Sequence, residues 1–130
     1  MAVEDQLNFS IVFYSPDGIT SPVLDFLQEL SEKNLQNAMD CIIDLQNLPT
    51  LNYSGSNVKT IRVGKVNCRY LRVKSASNIF RFYYCIKQPN IIVLYGFMKK
   101  SQKIDKRDMS KAEKNLQDFL NNNRTIPFDL

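Results

Sequence analysis

At 130 residues and 44% apolar, the chain is long enough for one domain with a real core and too apolar to be disordered. It contains no histidine, which excludes Cys/His metal centres, Ser-His-Asp and Cys-His nucleophilic systems and any imidazole base. Net charge is only +4, but residues 59–111 hold 14 of the 17 Lys and Arg with two acids, whereas residues 1–58 hold one base and eight acids, so a basic face for an anion on an acidic body is expected.

Cys41, Cys68 and Cys85 are odd in number and form no CxxC pair, the usage of reduced thiols in a cytoplasmic protein. They suggest no zinc site, and neither a metal nor a cofactor is expected. No apolar run reaches the roughly 18 residues of a membrane span. Met1 to Ser10 carries Glu4 and Asp5 in place of a basic start and an apolar core, so neither a signal peptide nor a membrane partner is expected.

In chain order, Phe9, Ile11 and Phe13 alternate with Ser10, Val12 and Tyr14 in a short strand ended by the turn Ser15-Pro16-Asp17-Gly18. Ser21 with Pro22 reads as the start of a helix whose apolar face is Val23, Phe26, Leu27 and Leu30. Ser31 caps a second, with Leu35, Ala38, Met39, Ile42 and Leu45 as its buried stripe and Pro49 beyond its end. Joined with almost no linker, the two make a helical hairpin suited to covering one face of a sheet.

From Val58 the period becomes that of strands: Ile61 to Val63, Arg69 to Lys74, Ile79 to Ile86 and Ile91 to Met98, with turns short enough to require antiparallel neighbours. The run Ile91 to Tyr95 suits a strand buried on both faces. Met109, Ala112, Leu116, Phe119 and Leu120 recur at helical spacing, Asp105 and Asp108 read first as cap and dipole complement of that helix and second as an acid or base, and Ile126, Pro127 and Phe128 are expected to dock on the body. The fold class is therefore α+β: an N-terminal strand, a helical hairpin, an antiparallel sheet of three to four further strands and a C-terminal helix.

Between the last strand and the last helix stand Lys99, Lys100, Lys103, Lys106 and Arg107. Clusters of this density bind anions, above all a nucleic-acid backbone; the alternative is a solvated basic loop. The strand and helix order, together with Tyr70-Leu71-Arg72, Phe80-Arg81-Phe82-Tyr83-Tyr84 and Gly96-Phe97-Met98-Lys99-Lys100-Ser101-Gln102-Lys103 followed by Ala112, resembles the phage-derived HigB-like toxins of the RelE/ParE superfamily from about Pro22 to Phe119. The resemblance implies a small endoribonuclease that cuts messenger RNA on the ribosome and is held inactive by an antitoxin, of helix-turn-helix type. The chain departs from that family's pattern in having Tyr70 for an acid, Tyr95 for a histidine and Asp105 for a proline.

Metal-free RNA cleavage needs the 2′-hydroxyl deprotonated, the phosphorane charge stabilised and the leaving 5′ oxygen protonated. Arg81, between Phe80 and Phe82, is the first choice for the charge if it points out of the core toward a partner; the alternative places it at a sheet edge, paired with a carboxylate. Arg72 shares a strand face with Tyr70, so it can grip a phosphate while Tyr70 stacks on a base, unless Tyr70 caps the core and Arg72 forms an ion pair. Lys99 and Lys100 are candidates for proton transfer and phosphate clamping. Lys59, Arg62, Lys65, Lys103 and Lys106 are assigned to phosphate contacts outside the reaction centre. Tyr95 reads first as a core tyrosine and second as a site residue.

Three readings follow: a ribonuclease toxin, a toxin of the same fold acting on another target such as a topoisomerase, and a non-catalytic nucleic-acid- or ribosome-binding phage product.

Overall fold

Local sequence chemistry starts each of the first elements. Strand β1 (Ser10–Tyr14) ends in a turn where the Asp17 carboxylate accepts from the backbone N–H groups of Ile19 and Thr20, the Thr20 bond being foremost in holding it down at about 2. Helix α1 (Pro22–Gln28) follows; Ser21 Oγ accepts from Val23 and Leu24, and Pro22 opens the first turn without missing a donor. Helix α2 (Glu32–Asp44) begins with Ser31 accepting from Asn34 and runs into a 3-10 turn at Leu45–Asn47. Strands β2 (Thr60–Val63), β3 (Val66–Ser75), β4 (Asn78–Lys87) and β5 (Asn90–Met98), helix α3 (Lys106–Asn122) and strand β6 (Thr125–Pro127) complete the chain. The computed structural model describes residues 9–47, 60–63, 66–87, 89–99 and 106–128.

This is the expected α+β order, and it is compatible with a RelE-like fold. The sheet runs β2-β3-β4-β5-β1-β6. β2 to β5 are antiparallel neighbours, as their short turns require, while β1 lies parallel to β5, from Ser10 opposite Asn90 to Phe13 opposite Val93. The C-terminal segment does more than dock: β6 pairs antiparallel with β1 and sets the Phe128 ring 5.2 Å from that of Phe13.

Helices cover both faces. Against α1 and α2 lie Ile11, Phe13, Leu71, Val73, Phe80, Phe82, Ile91 and Val93, with Val23, Leu27, Ala38 and Ile42 from the helices. Against α3 lie Cys68, Tyr70, Tyr83, Cys85, Ile92 and Leu94, with Ala112, Leu116 and Phe119. β5 therefore has core on both sides, and Ile91 to Leu94 are buried without a break. Burial pushes the Cys68 thiol up, and the Cys85 thiol up to about 12. All three cysteines are free.

Two polar ties fix the layers that carry the site. Ser75, at the tip of β3, donates to Asn34 Oδ1 at 2.6 Å and accepts from Asn37 Nδ2 at 2.7 Å, which holds the β3–β4 hairpin to α2. Tyr14 donates to Asp118 Oδ2 at 2.6 Å and holds α3 to β1; burial first, then this bond, pushes the phenol up to about 12. Among the described residues no helix is long and apolar enough to cross a membrane.

Candidate nucleic-acid interface

Register assembles the site. The β3–β4 hairpin turns on two residues, Ala76 and Ser77, between the paired Ser75 and Asn78, with Ala76 at φ +54. A two-residue turn makes its flanking pair hydrogen-bonded, and the ladder then alternates. Arg72 opposite Arg81, Tyr70 opposite Tyr83 and Cys68 opposite Cys85 thus fall at non-hydrogen-bonded positions, where facing side chains come closest.

Between β4 and β5 the ladder slips. Tyr83 pairs with Tyr95 and Tyr84 with Val93, leaving Leu94 as the extra residue of a β-bulge. Strict alternation would send Tyr95 to the α1 side with Val93; the bulge sends it to the α3 side beside Leu94. Tyr95 therefore packs against the α3-side core, in keeping with its first reading but on the face opposite to the one alternation gives. It is half-buried on the α3 face, and its hydroxyl donates to Asp108 Oδ1 at 2.9 Å.

Three strands now present rows on that face. One row is Arg72, Arg81 and Phe97; the next is Tyr70, Tyr83 and Tyr95. The Tyr83 ring stacks on Phe97 at 6.0 Å, Phe97 on Tyr95 at 5.6 Å, and Tyr70 meets Tyr83 edge-on at 5.6 Å. Lys99, whose N–H donates to Ile79 O at 2.8 Å, extends the ladder one residue past β5, so by alternation Lys74, Ile79 and Lys99 form an outer row beside the arginines.

Arg81 is 6% exposed, on a strand with neighbours on both sides. The sheet-edge alternative is thereby corrected: Arg81 stands inside the sheet, its side chain enclosed on the α3 face. Its guanidinium carbon lies 4.8 Å from the centroid of the Tyr70 ring, and its enclosed Nε has no hydrogen-bond partner. The cation–π contact contributes about 0.5–2 kcal/mol, against several kcal/mol for desolvating an ion, and a like charge directly opposite adds to the cost. An anion would complete this arrangement.

Tyr70 is also 6% exposed, with Arg81 over its ring. As placed, it supports Arg81 and offers no free face to a base, so stacking there requires Arg81 to move. Arg72 is half-buried opposite Arg81, and Lys106 is exposed at the start of α3. Lys59, Lys65, Lys100, Lys103 and Asp105 lie outside the described residues, and Arg62 is on β2, where only the backbone is described.

Four residues of this face were not picked out from sequence as site residues. Tyr83 carries the aromatic row, and burial, opposed by Arg81, pushes its phenol up to about 12. Asp108 holds Tyr95, Lys111 Nζ lies 5.9 Å from the Tyr95 ring centroid, and Lys74 stands in the outer row. The signal for Lys111 and Asp108 was their i, i+3 spacing on the last helix, which places them on one face. Among the described residues no group of three or more Cys, Asp or Glu is placed to hold a metal ion.

A protein-family model, Phage derived protein Gp49-like (DUF891), matches residues 25–117, which includes every strand of the rows just described and most of α3. No curated protein matches the chain. The match spans well over half of the 130 residues, and the chain belongs to this Gp49-like family of phage-derived proteins, which is related to the RelE/HigB-type toxins.

Proposed function

We propose that the protein is the toxin of a type II toxin–antitoxin pair, a HigB-like endoribonuclease that cuts messenger RNA on the ribosome without a metal. The observation that carries this reading is the facing pair Arg72 and Arg81, with Arg81 Nε enclosed and unpartnered. Two guanidiniums directly opposite each other are unfavourable without an anion between them, and a phosphate entering beside the half-buried Arg72 supplies the missing acceptor. Family membership supports the toxin class.

In this reading Arg81 and Arg72 stabilise the charge of the phosphorane as the 2′ oxygen attacks. Lys99 or Lys100 protonates the leaving 5′ oxygen. Lys59, Arg62, Lys65, Lys103 and Lys106 hold the flanking backbone, and Tyr70 steers the guanidinium of Arg81. The cognate antitoxin covers the same basic face with an acidic segment, and the pair operates in the cytoplasm.

Induced expression without a partner should arrest growth and produce new 5′ ends within translated messages. Arg81→Ala should relieve the arrest and reduce cleavage by roughly 10²- to 10³-fold, the usual loss for one donor to a developing charge. Growth arrest with full-length messages would reject RNA cleavage and favour a different target, such as a topoisomerase.

A further inference from the structure

Removal of the 2′-hydroxyl proton needs a base, and the chain has no histidine. Resting on the ribonuclease reading above, we infer that Asp108 receives that proton through Tyr95, the two forming a relay between helix α3 and the arginine rows. The bulge at Leu94 turns Tyr95 onto the same face as Arg81, one row away. Phe97 stacks on the Tyr95 ring, Lys111 Nζ stands 5.9 Å from its centroid, and Asp108 holds its hydroxyl at 2.9 Å, so the oxygen that would meet the ribose is fixed from two elements. Tyr83, across the strand, is 2% exposed, whereas Tyr95 and Asp108 are each half-buried.

The 2′-hydroxyl gives its proton to Tyr95 Oη while the Tyr95 proton passes to Asp108 Oδ1. The 2′ oxygen's electron pair forms the bond to phosphorus. The bond from phosphorus to the 5′ oxygen breaks with its electrons on that oxygen, which takes a proton from the Lys99 ammonium. A 2′,3′-cyclic phosphate and a free 5′-hydroxyl result, and a proton returning from Asp108 to Lys99 through water restores both. Tyr95 is the catalytic residue of the pair and Asp108 acts through it.

The fold supplies its own control. Tyr14 and Asp118 make the same phenol-to-carboxylate bond farther along α3, at 2.6 Å, but Tyr14 is buried in β1 away from the arginines. Tyr83 from β4 lies opposite Tyr95 and within electrostatic reach of Asp108, Lys111 from α3 lies beside the Tyr95 ring, and Arg107 adjoins Asp108 in sequence.

The test is single-turnover cleavage of message on translating ribosomes by the purified full chain, at saturation and across pH. Tyr95→Phe and Asp108→Asn should each slow cleavage by on the order of 10²-fold, and together by no more than either alone. Asp108→Asn should also abolish the acid limb of the rate profile, and Asp108→Glu should restore part of both rate and limb. Asp118→Asn should leave the rate unchanged. Wild-type cleavage with Asp108→Asn equally fast and its acid limb intact would overturn the relay alone; equal losses in the Asp108 and Asp118 variants would make Asp108 a structural tie and overturn it likewise. A wild-type protein that leaves message intact would overturn the ribonuclease reading, and the relay with it.

Discussion

At Arg81 the cost of enclosing a cation is visible in one side chain, which has Tyr70 beneath it, Arg72 opposite and no acceptor at Nε. An apolar side chain of similar length would fill the space without the desolvation penalty. Arg81→Met should therefore raise the stability of the isolated protein by roughly 1–4 kcal/mol, the range seen when buried charges are replaced by packed apolar groups. It should also lose cleavage. Urea denaturation checks the first part, and a less stable Arg81→Met would mean that the guanidinium is satisfied and no anion is wanted. That Arg81 mattered was legible from sequence, because a charge between Phe80 and Phe82 has to be accommodated somehow. Its enclosure was not legible, since Tyr70 reaches it only through the register of the β3–β4 hairpin. Tyr95 shows the limit more sharply: alternation assigns it to one face, and a single extra residue at Leu94 assigns it to the other.

Elements whose ends are set by neighbouring residues were readable in advance. Ser21 with Pro22, and Ser31, start helices for reasons contained within four residues. The parallel pairing of β1 with β5 and the edge position of β6 depend on contacts between distant parts of the chain, which no local pattern encodes. The same holds for Gly96, two residues past the bulge. A Cβ there would lie 2.7 Å from Cδ1 and Cε1 of Phe82 and 3.1 Å from Cδ2 of Phe26, so glycine is what lets α1 lie close to β4 and β5 while Tyr95 and Phe97 face α3. Phe82 is 1% exposed and has little room to retreat. Gly96→Ala should destabilise the fold by about 1–3 kcal/mol through overpacking, seen as a lower denaturation midpoint with an unchanged slope. An unchanged midpoint would show that the Phe26 and Phe82 rings repack freely.

At the scale of the molecule, the described bases Arg72, Lys74 and Arg81 share the α3 side of the sheet. Lys33, the one base among the first 58 residues, is exposed on α2, on the side of the sheet opposite the arginines. On the other side Lys74, two residues along β3 from Arg72, adjoins the arginine row, and Lys106 is exposed at the start of α3, the helix that covers that face. Helix α3 begins with Lys106 and Arg107, which its dipole disfavours by about 0.3–1 kcal/mol each, and of the first-turn charges only Asp108 has the sign the dipole favours. A phosphate backbone crossing that face offsets the cost by releasing counterions, and its binding should therefore weaken steeply with salt. Lys74→Ala and Lys106→Ala should each lower affinity for RNA of any sequence and flatten the slope of log K against log salt by roughly 0.7–0.9. Their single-turnover rates at saturation should be close to wild type, because these contacts are made equally in the ground and transition states. Arg81→Ala should do the reverse, losing rate while holding affinity within a few fold, and Lys33→Ala should change neither quantity. Titrations of labelled RNA at several salt concentrations, paired with single-turnover rates, separate the two behaviours. If Lys33→Ala flattened the slope as much as Lys106→Ala, the backbone would be crossing the α2 face, and the arginine rows would have to bind some other anion.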